Sequence, residues 1–183
     1  MHRPMRLISL ALALTSLGAL SAPRVFAQNT SSDADRLAQV LSGYEDMPND
    51  ESMRAMGPAT VGTLVALYND ASRPPYVRLR SVAAAGAFHT DAARTFLHAV
   101  VTLPGQSDLF VREGLLSLGR AFGEQATLEI APFLQRPETV VREAAAISLS
   151  RIGSAQALAA LRARLGVETD AGIRRRLQAS LAH

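Results

Sequence analysis

The sequence predicts an all-α fold, a solenoid of stacked helical hairpins, on three observations. A Val-Arg or Ile-Arg pair recurs at Val77-Arg78, Val111-Arg112, Val141-Arg142 and Ile173-Arg174, with the arginines 34, 30 and 32 residues apart. Eleven residues after the Val stand Phe88, Phe122 and Ile152, followed by His89, Gly123 and Gly153. No stretch alternates apolar and polar residues over a useful length, so strands are not expected. A period near thirty residues marks a chain built from one supersecondary unit laid against its neighbours.

Each unit reads as two helices. Asp108, Glu138 and Asp170 lie four residues before the repeated Arg, where they can cap free N–H groups and pair with the Arg one turn on; Pro74 takes that place in the first unit. In the clearest unit Val141, Ala144, Ala145, Ile147, Ser148 and Leu149 line a broad helical face, and Gly153 stops the helix. A second helix follows from near Ser154, with Ala157, Leu158, Leu161 and Leu165 at spacings of three and four, closed by Gly166. The equivalent second helices are expected at about 91–103 and 124–135, the latter bent or started by Pro132. Small alanines on the first helices suit close interhelical approach. The units are therefore about 76–104, 108–136, 138–166 and a partial C-terminal cap at 170–183 within the repeat region 76–183. Residues 33–70 form an atypical N-terminal helical cap, with Leu37, Val40, Leu41 and Tyr44 as one stripe and a second amphipathic stretch at 59–68. Ile173, Leu177 and Leu181 continue the buried stripe in the last helix, while Gln178 turns a polar edge outward.

Ahead of these units lies an apparent address. His2, Arg3 and Arg6 precede an apolar run from Leu7 to Leu20; Pro23 then ends any helix, and Val25-Phe26-Ala27 supplies small residues for a signal peptidase. Residues 1–27 are thus expected to be a secretory signal peptide cleaved after Ala27, followed by a polar leader at 28–32, and the product is expected in the periplasm. The alternative is a retained N-terminal membrane anchor, although a run of about 14 apolar residues is short for a bilayer. Once the signal is removed, no stable membrane insertion is expected.

Composition excludes several chemistries. All 19 basic residues are Arg, against 16 acids, and there is no Cys or Trp. Disulfides, thiolate metal sites and Cys nucleophiles are out, and an aromatic content of 5% argues against base-stacking platforms. Residues 1–27 carry three Arg and no acid, so the mature chain would hold 16 of each sign and be neutral. Nucleic acid is accordingly not expected as a partner. The 48% apolar content is ample for a core.

The run from Val141 to Gly153, Val-Arg-Glu-Ala-Ala-Ala-Ile-Ser-Leu-Ser-Arg-Ile-Gly, resembles the HEAT-like repeat family, in the short Ala-rich version associated with bilin lyases. The resemblance covers roughly residues 76–183 and implies a right-handed α-α superhelix in an exported bacterial member. It departs from the pattern at His89, which replaces the terminal Gly, and at Gly119, which comes one residue early. It speaks for architecture and leaves function open.

The candidate site residues follow from the repeats. Arg78, Arg112, Arg142 and Arg174 form either a ladder that grips an acidic partner or, the favoured reading, structural positions paired with Asp108, Glu138 and Asp170 and closed by Gly123 and Gly153. Arg174, Arg175 and Arg176 read as a solvated cap face. Second helices usually line the concave side, which makes Arg94, His98, Glu129, Arg162 and Arg164 the candidate partner surface. His89 reads as a C-cap substitute and His98 as an exposed helix residue; no spacing of His and acids marks a metal site. No cofactor and no catalytic residue is expected. The chain is read as a non-catalytic scaffold for a protein partner of unknown identity; the alternative is an enzyme or enzyme subunit related to bilin-lyase-type HEAT proteins.

Overall fold

The computed structural model describes residues 24–43 and 48–182, with side chains from Asp33 onward. Among them every regular element is helical: α1 (Arg24–Ser42), α2 (Asp50–Ala55), α3 (Thr60–Asn69), α4 (Pro75–Ala85), α5 (Asp91–Thr102), α6 (Asp108–Phe122), α7 (Thr127–Ile130), α8 (Thr139–Ile152), α9 (Ala155–Leu165) and α10 (Ala171–Leu181). Most of the signal segment (residues 1–23), Tyr44 and His183 lie outside the described residues.

The chain is an all-α solenoid. Helices α1, α4, α6, α8 and α10 form one layer, each touching the next, and α3, α5, α7 and α9 back them as a second layer. One apolar core runs the whole length, through Leu41, Leu64, Leu97, Leu115, Ile130, Leu149, Leu161 and Leu177, all essentially inaccessible to solvent. Burial of one such side chain is worth roughly 1.5–3 kcal/mol, so this spine, with no disulfide, suffices to hold the stack.

The start signals differ from unit to unit. Thr90 caps α5 by accepting from the Ala93 N–H at 3.2 Å, and Ser154 caps α9 by accepting from Ala157 N–H at the same distance. Asp170 caps α10 through the Ile173 N–H at 2.9 Å. Glu138 precedes α8 without a side-chain cap bond, and Asp108 is the first helical residue of α6, behind Ser107. Gly153 closes α8 at φ +64°, a left-handed conformation that costs a glycine little.

The first-layer crossings explain two other glycines. A Cβ on Gly86 of α4 would stand 2.9 Å from Ser117 Cβ on α6, and one on Gly119 of α6 would stand 2.9 Å from Ser148 Cβ on α8. A glycine in one hairpin thus meets a serine in the next. Ser148 Oγ also donates to the Leu115 carbonyl across the α6–α8 crossing at 3.0 Å. Gly119, which looked like a misplaced helix stop, is a contact point.

Four readings of the sequence need correction. Residues 28–32, taken as a polar leader, run inside α1. The short helix α2, capped by Asn49 accepting from Ser52 N–H at 2.8 Å, was not foreseen. The segment around Pro132 is not one bent helix: a 3-10 turn (Gly123–Ala126), α7 and a second 3-10 turn (Ala131–Gln135) follow one another. Proline has no N–H to continue an α-ladder, and the chain tightens into 3-10 geometry instead. Finally, His89 does not cap its own helix, which ends at Ala85 with Gly86 as its C-cap; His89 Nδ1 bonds the Ala121 carbonyl at the end of α6.

Candidate functional site

The repeated arginines do not pair with the acids four residues before them. Arg78 Nε donates to the Tyr68 carbonyl at 2.7 Å, at the end of α3. Arg174 Nη1 donates to the Glu168 carbonyl at 2.9 Å, just past α9. Arg142 Nη1 donates to the Arg136 and Pro137 carbonyls at 2.9 and 2.7 Å. Arg112 is the exception, paired weakly with its neighbour Glu113 at 3.5 Å. The acids are used otherwise: Glu138 binds Arg136 at 2.9 Å, and Asp170 is occupied as the cap of α10. An exposed i, i+4 pair gains little, whereas these arginines supply donors to backbone carbonyls left over where the preceding segments end.

Two further arginines, outside the repeated pairs, do the same. Arg80 Nη1 reaches the Leu41 and Gly43 carbonyls at the end of α1, at 2.6 and 2.9 Å. Arg120 bonds the Ala83 and Gly86 carbonyls at the end of α4. Replacing Arg80 by Met keeps much of the stem but leaves two carbonyls without their donor, and thermal denaturation should show a loss of about 1–2 kcal/mol.

One such node is fully buried. The Glu168 carboxylate accepts from Arg142 Nε and Nη2 at 3.0 and 3.2 Å, from Arg164 Nε at 2.8 Å, and from the backbone N–H groups of Thr169 and Asp170 at 3.0 and 2.9 Å. Its side chain is 0% exposed, and that of Arg142 only 9%. Burial alone would raise the Glu168 pKa; hydrogen bonds from Arg164 and Arg142 and from the Asp170 backbone outweigh it and bring the value down to about 2. Arg164, read as a partner-surface residue, is therefore an internal one.

The other partner-surface candidates separate. Arg162 is exposed on α9. Arg94 and His98, one turn apart on α5, both reach Glu129 on α7: Arg94 Nε at 2.8 Å and His98 Nδ1 at 3.0 Å, with Arg94 also bonding the Gln125 carbonyl. Glu129 is mostly covered and His98 about half exposed. Chemically this cluster fastens the broken second helix of its unit to α5. In the terminal arginine run, Arg176 pairs with Glu143 at 2.8 Å, and all three residues are exposed.

On the opposite flank of α5 lies an apolar feature that repeat reasoning missed. A groove of about 570 Å³ runs between α3 and α5, lined by Val65, Tyr68, Phe96, Ala99, Val100 and Leu103 among others, with no charged residue in its walls. Two of its walls are aromatic, Tyr68 and Phe96, which meet edge-on with centroids 5.3 Å apart; Tyr68 also meets Phe110 edge-on at 5.6 Å. Leu103, at its rim, is 53% exposed. The signal was present in the spacing of Ala92, Thr95, Phe96, Ala99, Val100 and Leu103, a second apolar edge on α5 beyond what one neighbour needs. Among the described residues no group of three or more His, Asp or Glu could hold a metal ion, and no helix is long and apolar enough to cross a membrane.

Comparison with known families adds one finding. Residues 111–182 match the family model for HEAT repeats. The HEAT segment comprises α6 to α10 and includes both the Gly119–Ser148 crossing and the Glu168 node. No curated protein matches the chain.

Proposed function

We propose that this chain is an exported, non-catalytic interaction module of the short Ala-rich HEAT type, which holds a protein partner on its second-helix layer. One observation carries the reading: the groove open between α3 and α5 is walled by apolar side chains with no charge among them, whereas the cavity between α8 and α10 is lined by Glu143, Arg175 and Arg176. Contiguous apolar surface of this kind, rimmed by polar residues, suits a partner's apolar side chains. The Arg94, His98 and Glu129 cluster on the far flank of α5 sets a polar margin. Export to the periplasm rests on the signal-like residues 1–27, and cleavage after Ala27 would leave α1 starting at Gln28, one turn shorter.

The test is a charge placed in the groove. Ala99 is exposed, so Ala99→Arg should change the unfolding free energy by no more than a surface substitution does, about 0.5 kcal/mol. Cross-linking in intact cells should then recover a defined envelope protein with the wild-type chain and lose it with Ala99→Arg. Equal recovery from both would refute the groove as the contact. N-terminal sequencing of the mature protein tests the export step and should begin at Gln28.

A further inference from the structure

We propose that Glu168 is a proton-operated latch for the last helix: protonating its buried carboxylate frees α10 from α8 and α9 while the preceding hairpins stay folded. The geometry gathers the polar attachments at the start of α10 around this residue. Its carboxylate receives Arg142 from α8 and Arg164 from α9, and it orients the Thr169 and Asp170 N–H groups, so that Asp170 stands as the cap of α10. Its carbonyl accepts from Arg174 of α10 itself. A neutral carboxylic acid in that place would keep one proton donor among donors already present and leave two guanidinium groups without their counter-ion.

The rest of the α10 contact is weak by comparison. Where Gly86 and Gly119 bring earlier first-layer helices into close contact, α8 and α10 leave an open cavity of about 620 Å³ lined by Glu143, Ser150, Gly172, Arg175, Arg176, Ala179 and Ser180. Ile173 and Leu177 are the buried apolar anchors of α10, and the surface bridge between Arg176 and Glu143 is half exposed.

The sign of the pH effect follows from the direction of the shift. The folded-state pKa of Glu168 lies below the ordinary glutamate value, near 2, so its contribution is complete above about 4.5 and disappears as pH falls toward 2. The charged groups facing it are Arg142 on α8, Arg164 on α9, and Arg174 and Asp170 at the start of α10; beyond Arg142 lies the pair of Arg136 and Glu138, whose carboxylate is also held low by its hydrogen bond from Arg136. Of these, Asp170 is the other carboxylate that holds α10, and Glu143 reaches it from α8.

Amide hydrogen exchange of the full chain between pH 6 and pH 2.5, corrected for intrinsic rates, reads the latch directly. The amides of 171–181 should lose protection by roughly 50- to 100-fold over this range, while those of α6 hold. Glu168→Gln should show low, pH-independent protection of α10 already at pH 6. Glu143→Gln and Asp170→Ser, which remove the competing carboxylates and keep a cap at 170, should retain the wild-type profile. Protection of α10 that survives to pH 2.5, or is lost together with that of α6, would overturn the proposal. So would a flat profile in Asp170→Ser. Should Glu168→Gln fail to fold, the wild-type, Glu143→Gln and Asp170→Ser profiles decide the matter alone.

Discussion

Replacing Arg142 by Lys, which keeps the charge, is expected to destabilise the protein by about 2–3 kcal/mol in urea titrations at neutral pH. The reason is the shape of the site. Three nitrogens of the guanidinium serve two carboxylate oxygens of Glu168 and two backbone carbonyls, those of Arg136 and Pro137, from one planar fork. An ammonium is a point with three donors and cannot span them. Arg142→Leu should cost more, about 3–5 kcal/mol, since it also leaves Glu168 with a single cation in a place closed to water. Because the pair is buried, neither loss should change much between low and high salt. A salt-sensitive or negligible effect of Arg142→Lys would mean that charge, rather than geometry, is what the site requires.

The second large effect sets two rules against each other. Gly119 lies inside α6, where intrinsic propensity favours Ala by roughly 0.5–1 kcal/mol. Packing opposes it. A Cβ there would stand 2.9 Å from Ser148 Cβ and 3.4 Å from its Cα, so α6 and α8 must move apart along their contact. Overpacking of this kind costs about 1–3 kcal/mol, and it also strains the Ser148 to Leu115 hydrogen bond, so Gly119→Ala is expected to be net destabilising by about 1–2 kcal/mol. The double-mutant cycle is the decisive measurement: Ser148→Gly should recover part of the loss in the Gly119→Ala background while being destabilising alone. Additive effects would show that the two residues do not press on each other.

The stacked-hairpin architecture was legible in the sequence because the signals are local and repeat. The apolar stripe of α8, its Gly153 stop and the Ser154 cap of α9 all act within a few residues. What escaped was set by neighbours one hairpin away. The spacing of Asp108, Glu138 and Asp170 before each Arg satisfies the rule for intrahelical pairs, yet the arginines turn outward from their own helices to cap others, and no sequence rule gives the place of Arg80 against the end of α1. Glu168 carried no motif at all: a single acid in a loop becomes the most buried charge of the described residues only once α8, α9 and α10 converge on it. Of the proposed partner surface, Arg94, His98 and Glu129 do come together, Arg164 does not join them, and the groove beside α5 needed two helices from different hairpins to exist.

The glycine–serine crossings also bear on how the chain assembles. Gly86 meets Ser117 and Gly119 meets Ser148, partners about thirty residues apart in each case. Each hairpin therefore finds its main docking surface on the one made just before it, although the exposed pair of Arg120 and Asp50, 3.5 Å apart, reaches back further along the chain. A polypeptide emerging N-terminus first can add its units one at a time, with short loops to close and little entropy lost per step.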